Sequence, residues 1–150
     1  MNDKDAKVLI FSINNEYYAT DIMEVERILG YETPTQLPDS PDFIEGVINY
    51  EGSILPIMSL AKRFNIPYNK TKDEAKIIVA KQDDSKIGII VDVVSEVSDV
   101  KEDNIEEAPE IVSGISKRYI KGLIKLNGKI IIFLNLATVL TQEEKESILK

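Results

Sequence analysis

Two stretches of this chain repeat one another, and that repeat restricts the possible folds more than any other feature. Lys7-Val8-Leu9-Ile10 lies over Lys76-Ile77-Ile78-Val79 at an offset of 69 residues, and the same offset sets Ile22, Val25 and Ile28 over Val91, Val94 and Val97. Further on, Phe43-Ile44-Glu45-Gly46-Val47-Ile48 lies over Tyr119-Ile120-Lys121-Gly122-Leu123-Ile124 at an offset of 76. The match continues through Gly52 over Gly128, Ile54 over Ile130 and Leu60-Ala61 over Leu136-Ala137, giving seven identities in the 22 positions from 43 to 64. The offset grows by seven because the second copy carries a longer loop, Ser98 to Arg118.

Within each copy the apolar residues come in short β-branched runs separated by turn signals, the pattern of strands rather than helices. Glu51-Gly52 and Asn127-Gly128 read as hairpin turns, Asn-Gly being the stronger signal. Leu60 to Phe64 and Leu136 to Leu140 read as short helical segments, and Gln142 to Lys150 as a C-terminal helix with Thr141 as its N-cap. A unit with four or five short strands and one helical turn buries little by itself. The expected fold is therefore mainly β, a single domain over 1–150 in which two small barrels pack side by side. The copies run approximately over 7–70 and 76–140, followed by the helix at 142–150. The seam between them is the expected place for a partner, because apolar residues of both walls converge there.

Composition removes most catalytic chemistry. The chain has no Cys and no His, so disulfides, thiolate metal sites and the commonest general base are absent, and no cofactor is expected. Twenty-six acidic residues against 18 basic ones give a net charge of −8, which repels phosphate backbones. The densest basic group, Lys117, Arg118 and Lys121, reads as a solvated loop edge, so nucleic acid is not an expected partner. The longest apolar runs, Ile130 to Leu134 and Ile87 to Val91, are far short of the roughly 20 residues needed to cross a bilayer. The polar start, Met1 to Lys7, lacks the basic and apolar regions of a secretion signal, and a cytoplasmic location is expected.

The remaining candidates are carboxylates, glycines and tyrosines. Asp83-Asp84 and Glu106-Glu107 lie in segments that read as exposed loops, and neighbours on a strand point to opposite faces, so neither pair is expected to bind metal or exchange protons. Asp92, inside the run Ile89-Ile90-Val91-Asp92-Val93-Val94, is expected to hydrogen-bond at a strand end or turn. Gly46 and Gly122 occupy equivalent places before the hairpins, where a bulge or close chain approach requires glycine. No glycine spacing matches a phosphate-binding loop. Tyr17, Tyr18, Tyr31 and Tyr50 concentrate aromatic area in the first copy, and Tyr50, at the hairpin beside Glu51, is the one expected to be exposed and to touch a partner.

The string Phe43-Ile44-Glu45-Gly46-Val47-Ile48-Asn49-Tyr50-Glu51-Gly52-Ser53-Ile54-Leu55-Pro56-Ile57 resembles the signature of the CheW family of chemotaxis coupling proteins, Phe-Ile-x-Gly-Val-x-Asn-Leu-Arg-Gly-x-Ile-x-Pro-Ile. Phe11, Glu16-Tyr17, Asp21-Ile22, Val25-x-x-Ile28 and Gly88-Ile89-Ile90-Val91-Asp92-x-Val94 extend the resemblance over roughly residues 7 to 140. It implies two intertwined five-stranded barrels similar to SH3 domains and a non-catalytic adaptor that bridges chemoreceptor cytoplasmic tips to the regulatory domain of the histidine kinase CheA. Ile22, Val25, Arg27, Val91, Asp92 and Val94 would line a receptor groove, and Phe43, Glu45, Gly46, Asn49, Tyr50, Glu51 and Gly52 would form a hairpin face toward kinase or receptor. Three positions depart from the family pattern: Arg27 stands where the family has Glu, Glu51 where it has Arg, and Ser59 where it often has Asp. The first two changes are opposite in sign, so an ion pair between them would survive with its polarity exchanged.

Overall fold

The computed structural model describes residues 5–67, 75–82, 84–112 and 115–148. The strands run in the order β1 (Ala6–Ile13), β2 (Glu16–Asp21), β3 (Val25–Gly30), β4 (Ile44–Tyr50) and β5 (Ser53–Ser59), followed by the short helix α1 (Leu60–Arg63). They continue with β6 (Lys76–Gln82), β7 (Ser85–Val91), β8 (Val93–Val100), β9 (Ile105–Glu106), β10 (Ile111–Val112), β11 (Ile115–Ser116), β12 (Ile120–Leu126) and β13 (Lys129–Leu134), and the helix α2 (Gln142–Ile148) comes last. The mainly β expectation holds. Two-residue turns close three of the hairpins because both turn residues reach positive φ: Asn14 and Asn15 at 50° and 66°, Glu51 and Gly52 at 50° and 80°, Asn127 and Gly128 at 52° and 76°.

The sheets are not the repeat copies. A six-stranded sheet has the order β8-β1-β2-β13-β12-β9 and a five-stranded sheet the order β3-β6-β7-β5-β4, with β10 and β11 as a separate ribbon. Each large sheet therefore takes strands from 7–70 and from 76–140. The expectation of two five-stranded barrels is corrected to two open β subdomains. The sixth strand is β9, which belongs to the longer second loop and adds to β12 through Leu123 and Ile124.

Both faces of each sheet are covered. One face of each contributes to a shared core that includes Leu9, Phe11, Tyr18, Met58, Leu60, Ile78, Ile89 and Leu134. The opposite faces close on smaller clusters, Val8, Ile10, Ile124, Ile131 and Phe133 in one sheet and Ile48, Leu55, Ile57, Ile77 and Val79 in the other. Burial on two faces explains why these strands read as continuous apolar runs instead of alternating ones. Exceptions come as two pairs of repeat mates, Ile54 and Ile130, 76% and 63% exposed beside their hairpin turns, and Ile28 and Val97 on the edge strands β3 and β8.

Gly46 and Gly122 are sockets for the loops that precede them. Thr35 bridges Val47 by two backbone hydrogen bonds of 2.8 and 2.9 Å, and Glu106 pairs with Leu123, which is the repeat mate of Val47. A Cβ on Gly46 would stand 2.1 Å from the Thr35 carbonyl oxygen, and one on Gly122 would stand 2.8 Å from that of Glu106. The register shifts at both glycines, so the expected bulge and close approach occur together.

The helical segments follow their caps. Ser59 Oγ accepts from Lys62 N at 3.2 Å, the service an Asp would render at the start of α1. The second copy reduces to a 3-10 turn at Leu136–Thr138, a correction to the helical reading of Leu136 to Leu140; its cap is Asn135, whose Oδ1 accepts from Ala137 N at 3.2 Å. Thr141 and Glu144 form a reciprocal capping box at 3.1 and 2.8 Å, and the C-terminal helix is described as far as Ile148, residues 149–150 lying outside the described set.

Tyr18 is fully buried beside Phe11, and its hydroxyl has no hydrogen-bond partner among the described residues. Burial, and then the nearby Glu16 carboxylate, push that hydroxyl's pKa upward. Its repeat mate is the apolar Ile87. Tyr18→Phe is therefore expected to raise unfolding free energy by about 1 kcal/mol, read from urea midpoints, since the group removed is desolvated and unpaired. A loss of stability would show that the hydroxyl is satisfied in solution.

Candidate partner-binding surfaces

Five of the six residues expected to line one groove, Ile22, Val25, Val91, Asp92 and Val94, fall at two equivalent crossovers. Ile22 opens a 3-10 turn, Ile22–Glu24, held by Asp21 Oδ1, which accepts from Met23 N at 2.9 Å. The Glu24 carboxylate fastens that turn to the second copy, accepting from Ala137 N at 3.2 Å and from Lys121 Nζ at 3.4 Å. Val25 then enters the five-stranded sheet opposite Ala80, whereas Val94 enters the six-stranded sheet opposite Phe11. Ile22, Val25 and Val94 are half-buried and rest on the shared core. Val91 is 1% exposed and belongs to that core, so it supports the surface without forming it. Asp92 is the expected hydrogen-bonding residue: its Oδ2 accepts from Asn14 N at 2.8 Å and its own N–H donates to Ser12 O at 3.1 Å, tying the second crossover to the first hairpin.

Arg27 belongs instead with the hairpin. Its guanidinium meets Glu51 Oε2 at 3.1 Å and lies 5.8 Å from the centre of the Tyr50 ring. Tyr50 itself is 6% exposed, which corrects the expectation of an exposed ring. The cause is the strand period: Ile44, Gly46, Ile48 and Tyr50 all face inward along β4. The Tyr50 hydroxyl donates to Glu26 Oε2 at 2.6 Å, and Lys86 Nζ approaches the same oxygen at 3.0 Å. The Tyr50 hydrogen bond, followed by that of Lys86, holds the Glu26 carboxyl below its ordinary range, while Glu26 raises the Tyr50 hydroxyl.

The rest of the expected hairpin face is structural where it is not exposed. Asn49 Oδ1 accepts from Gly52 N at 3.2 Å and fixes the turn. Glu45 pairs with Lys62 at 2.7 Å, and the Phe43 ring lies 4.6 Å beneath the Arg63 guanidinium. Of the carboxylate pairs, Asp84 sits in an exposed turn with Asp83 outside the described residues, and exposed Glu106 pairs with Lys125 across the strands. Among the described residues no group of three or more acids could hold a metal ion. Sequence reading missed Glu26, Lys86 and a surface cavity of about 550 Å³ lined by Leu37, Val47, Ile54, Pro56 and Ile148. For Ile54 the signal was available: it is out of phase with buried Leu55 and is repeated as Ile130.

The Arg27–Glu51 pair has both side chains about half exposed, at 55% and 50%. Reversing both, Arg27→Glu with Glu51→Arg, is expected to preserve stability better than either single reversal, with a coupling of about 0–1 kcal/mol in a denaturation double-mutant cycle. Additive effects would remove the direct coupling.

A family model described as CheW-like domain matches residues 7–144. The chain belongs to the CheW-like family. It is 35% identical over 136 residues to the chemotaxis protein CheW of Klebsiella aerogenes, covering 91% of this chain and 82% of that one. The chemotaxis protein CheW of Bacillus subtilis is 33% identical over 141 residues, 94% of this chain and 90% of its own. Among solved structures, the scaffolding protein CheW of Thermoanaerobacter tengcongensis superimposes with a TM-score of 0.89 at 34% identity, covering 99% of this chain and 96% of that chain. The chain is a chemotaxis adaptor of this CheW-like type, matching named chemotaxis proteins and one named scaffolding protein over nearly its whole length.

Proposed function

We propose that this protein is a non-catalytic adaptor that couples the cytoplasmic tips of chemoreceptors to the regulatory domain of the histidine kinase CheA, working in the cytoplasm. The observation that carries the reading is the full-length agreement with a scaffolding CheW, TM-score 0.89 over 99% of the chain. The surface chemistry supports it: half-buried Ile22, Val25 and Val94 lie over the shared core, and the Arg27–Glu51 pair stands beside the hairpin. A docked helix would cover apolar area at the first and meet half-solvated charge at the second. No described helix is long and apolar enough to cross a membrane.

A titration of isotope-labelled protein with the kinase regulatory domain, then with a receptor-tip fragment, tests this reading. Two separate sets of shifted amides, one including Ile22, Val25 and Val94, are expected. No shift with either partner at high concentration would sink it. A second reading, a CheW-like module serving a different sensory array or kinase, is favoured by one observation, the Arg27–Glu51 pair in exchanged polarity. It predicts binding only to partners whose facing charges are exchanged too.

A further inference from the structure

The two large sheets are built by a trade between the two halves of the chain. Residues 5–67 hold β1 to β5 with α1, and residues 75–148 hold β6 to β13 with α2. Alone, each half has hairpins, β1–β2 and β4–β5 in the first, β6–β7 and β12–β13 in the second, where β9 also adds two residues to β12 and β10 pairs with β11. Every pairing that joins one hairpin to another, or adds β3 or β8, crosses between halves: β1 with β8, β2 with β13, β3 with β6 and β5 with β7. Side chains follow the same rule at Arg63–Glu144, Glu24–Lys121, Glu26–Lys86 and Asp92–Asn14. The shared core takes residues from both halves. An isolated hairpin is marginal in water, so neither half keeps a core without the other. The peptide chain joins them once, between α1 and β6.

We propose that this geometry lets two molecules exchange halves, the first half of one assembling with the second half of another into an intertwined dimer that contains the two-sheet unit twice. The partner is a second copy of this chain, and the recognition surface is the one that already joins the halves within a monomer. Each exchanged unit makes every strand pairing of the monomer. Closure within one chain dominates in dilute solution, and mass action favours the dimer as concentration rises.

Full-length chains test this by complementation. Gly46→Val disables the first half, where a side chain meets Thr35, and Gly122→Val disables the second, where it meets Glu106. Each variant refolded alone is expected to give little folded protein. Unfolded together, mixed and refolded, they are expected to give a folded dimer by circular dichroism and light scattering. Its yield should reach about half of one folded unit per chain, because only the pairing of two intact halves succeeds. No gain on mixing would overturn the proposal. Independently of these variants, the unsubstituted chain refolded over a roughly hundredfold concentration range should show a dimer fraction that rises with concentration and survives dilution until denaturant is added. A chain that refolds only as monomer throughout would overturn it equally.

Discussion

Gly46→Ala is expected to destabilise the protein by about 3–5 kcal/mol, the sum of backbone strain and a steric clash that has nowhere to relax. The φ of Gly46 is +139°, outside the range that an L side chain adopts readily. The added Cβ would stand 2.1 Å from Thr35 O and 2.6 Å from Thr35 C, both backbone atoms pinned by hydrogen bonds to Val47. A flexible side chain could turn aside; this carbonyl cannot without releasing the loop from β4. Gly128→Ala provides the contrast, because its Cβ would meet nothing within 4 Å and only the φ of +76° penalises it, about 1 kcal/mol. Gly122→Ala should fall between, with a backbone contact at 2.8 Å and no positive φ. Urea denaturation of the three variants checks the order. Equal losses at Gly46 and Gly128 would show that the loop gives way and that the Thr35 bridge is weak.

Arg63→Ala is the second large effect, expected to cost about 3 kcal/mol because one guanidinium serves three acceptors at the junction of the halves. Its Nε donates to Val139 O at 2.9 Å, and Nη2 donates to the Tyr119 hydroxyl at 3.0 Å and to Glu144 Oε1 at 2.9 Å. The group lies between two repeat mates, 4.6 Å from the centre of the Phe43 ring and 5.5 Å from that of Tyr119. The Arg63 side chain is only 13% exposed, so this ion pair is less screened than the surface pairs around it. Removing it leaves Val139 O without that donor and detaches α2 from α1. Arg63→Lys should recover little, since a single ammonium cannot reproduce the fork of donors. Thermal or urea denaturation measures both, and a loss below about 0.5 kcal/mol for Arg63→Ala would mean that solvent replaces the guanidinium without penalty.

Much of this molecule can be read from residue order. Strand and hairpin signals are local, so the equivalence of Lys7–Ile10 with Lys76–Val79, the turns at Glu51-Gly52 and Asn127-Gly128 and the cap at Thr141 all appear as expected. The glycine sockets were legible as well, because a glycine kept at equivalent places of two copies implies a backbone demand. Tyr50 misled because hairpin tips are usually solvated, whereas its position in the alternation of β4 points it inward onto the five-stranded sheet's own cluster. Equivalent sequence positions do not imply the same sheet: Val25 enters the five-stranded one and Val94 the six-stranded one, and both rest on the shared core.

By itself the sequence determined the main strands, their turns and the two-fold internal repeat. Those properties depend on each residue and its near neighbours in the chain. Only the tertiary structure decided which strands pair, that β3 and β8 cross to the opposite halves, and that Arg63 meets Val139, its own repeat mate. The physical reason is that either copy's strands could satisfy the same edge by local pattern alone. The choice is made by the cores both halves must close together, and those cores exist only once the whole chain is in place.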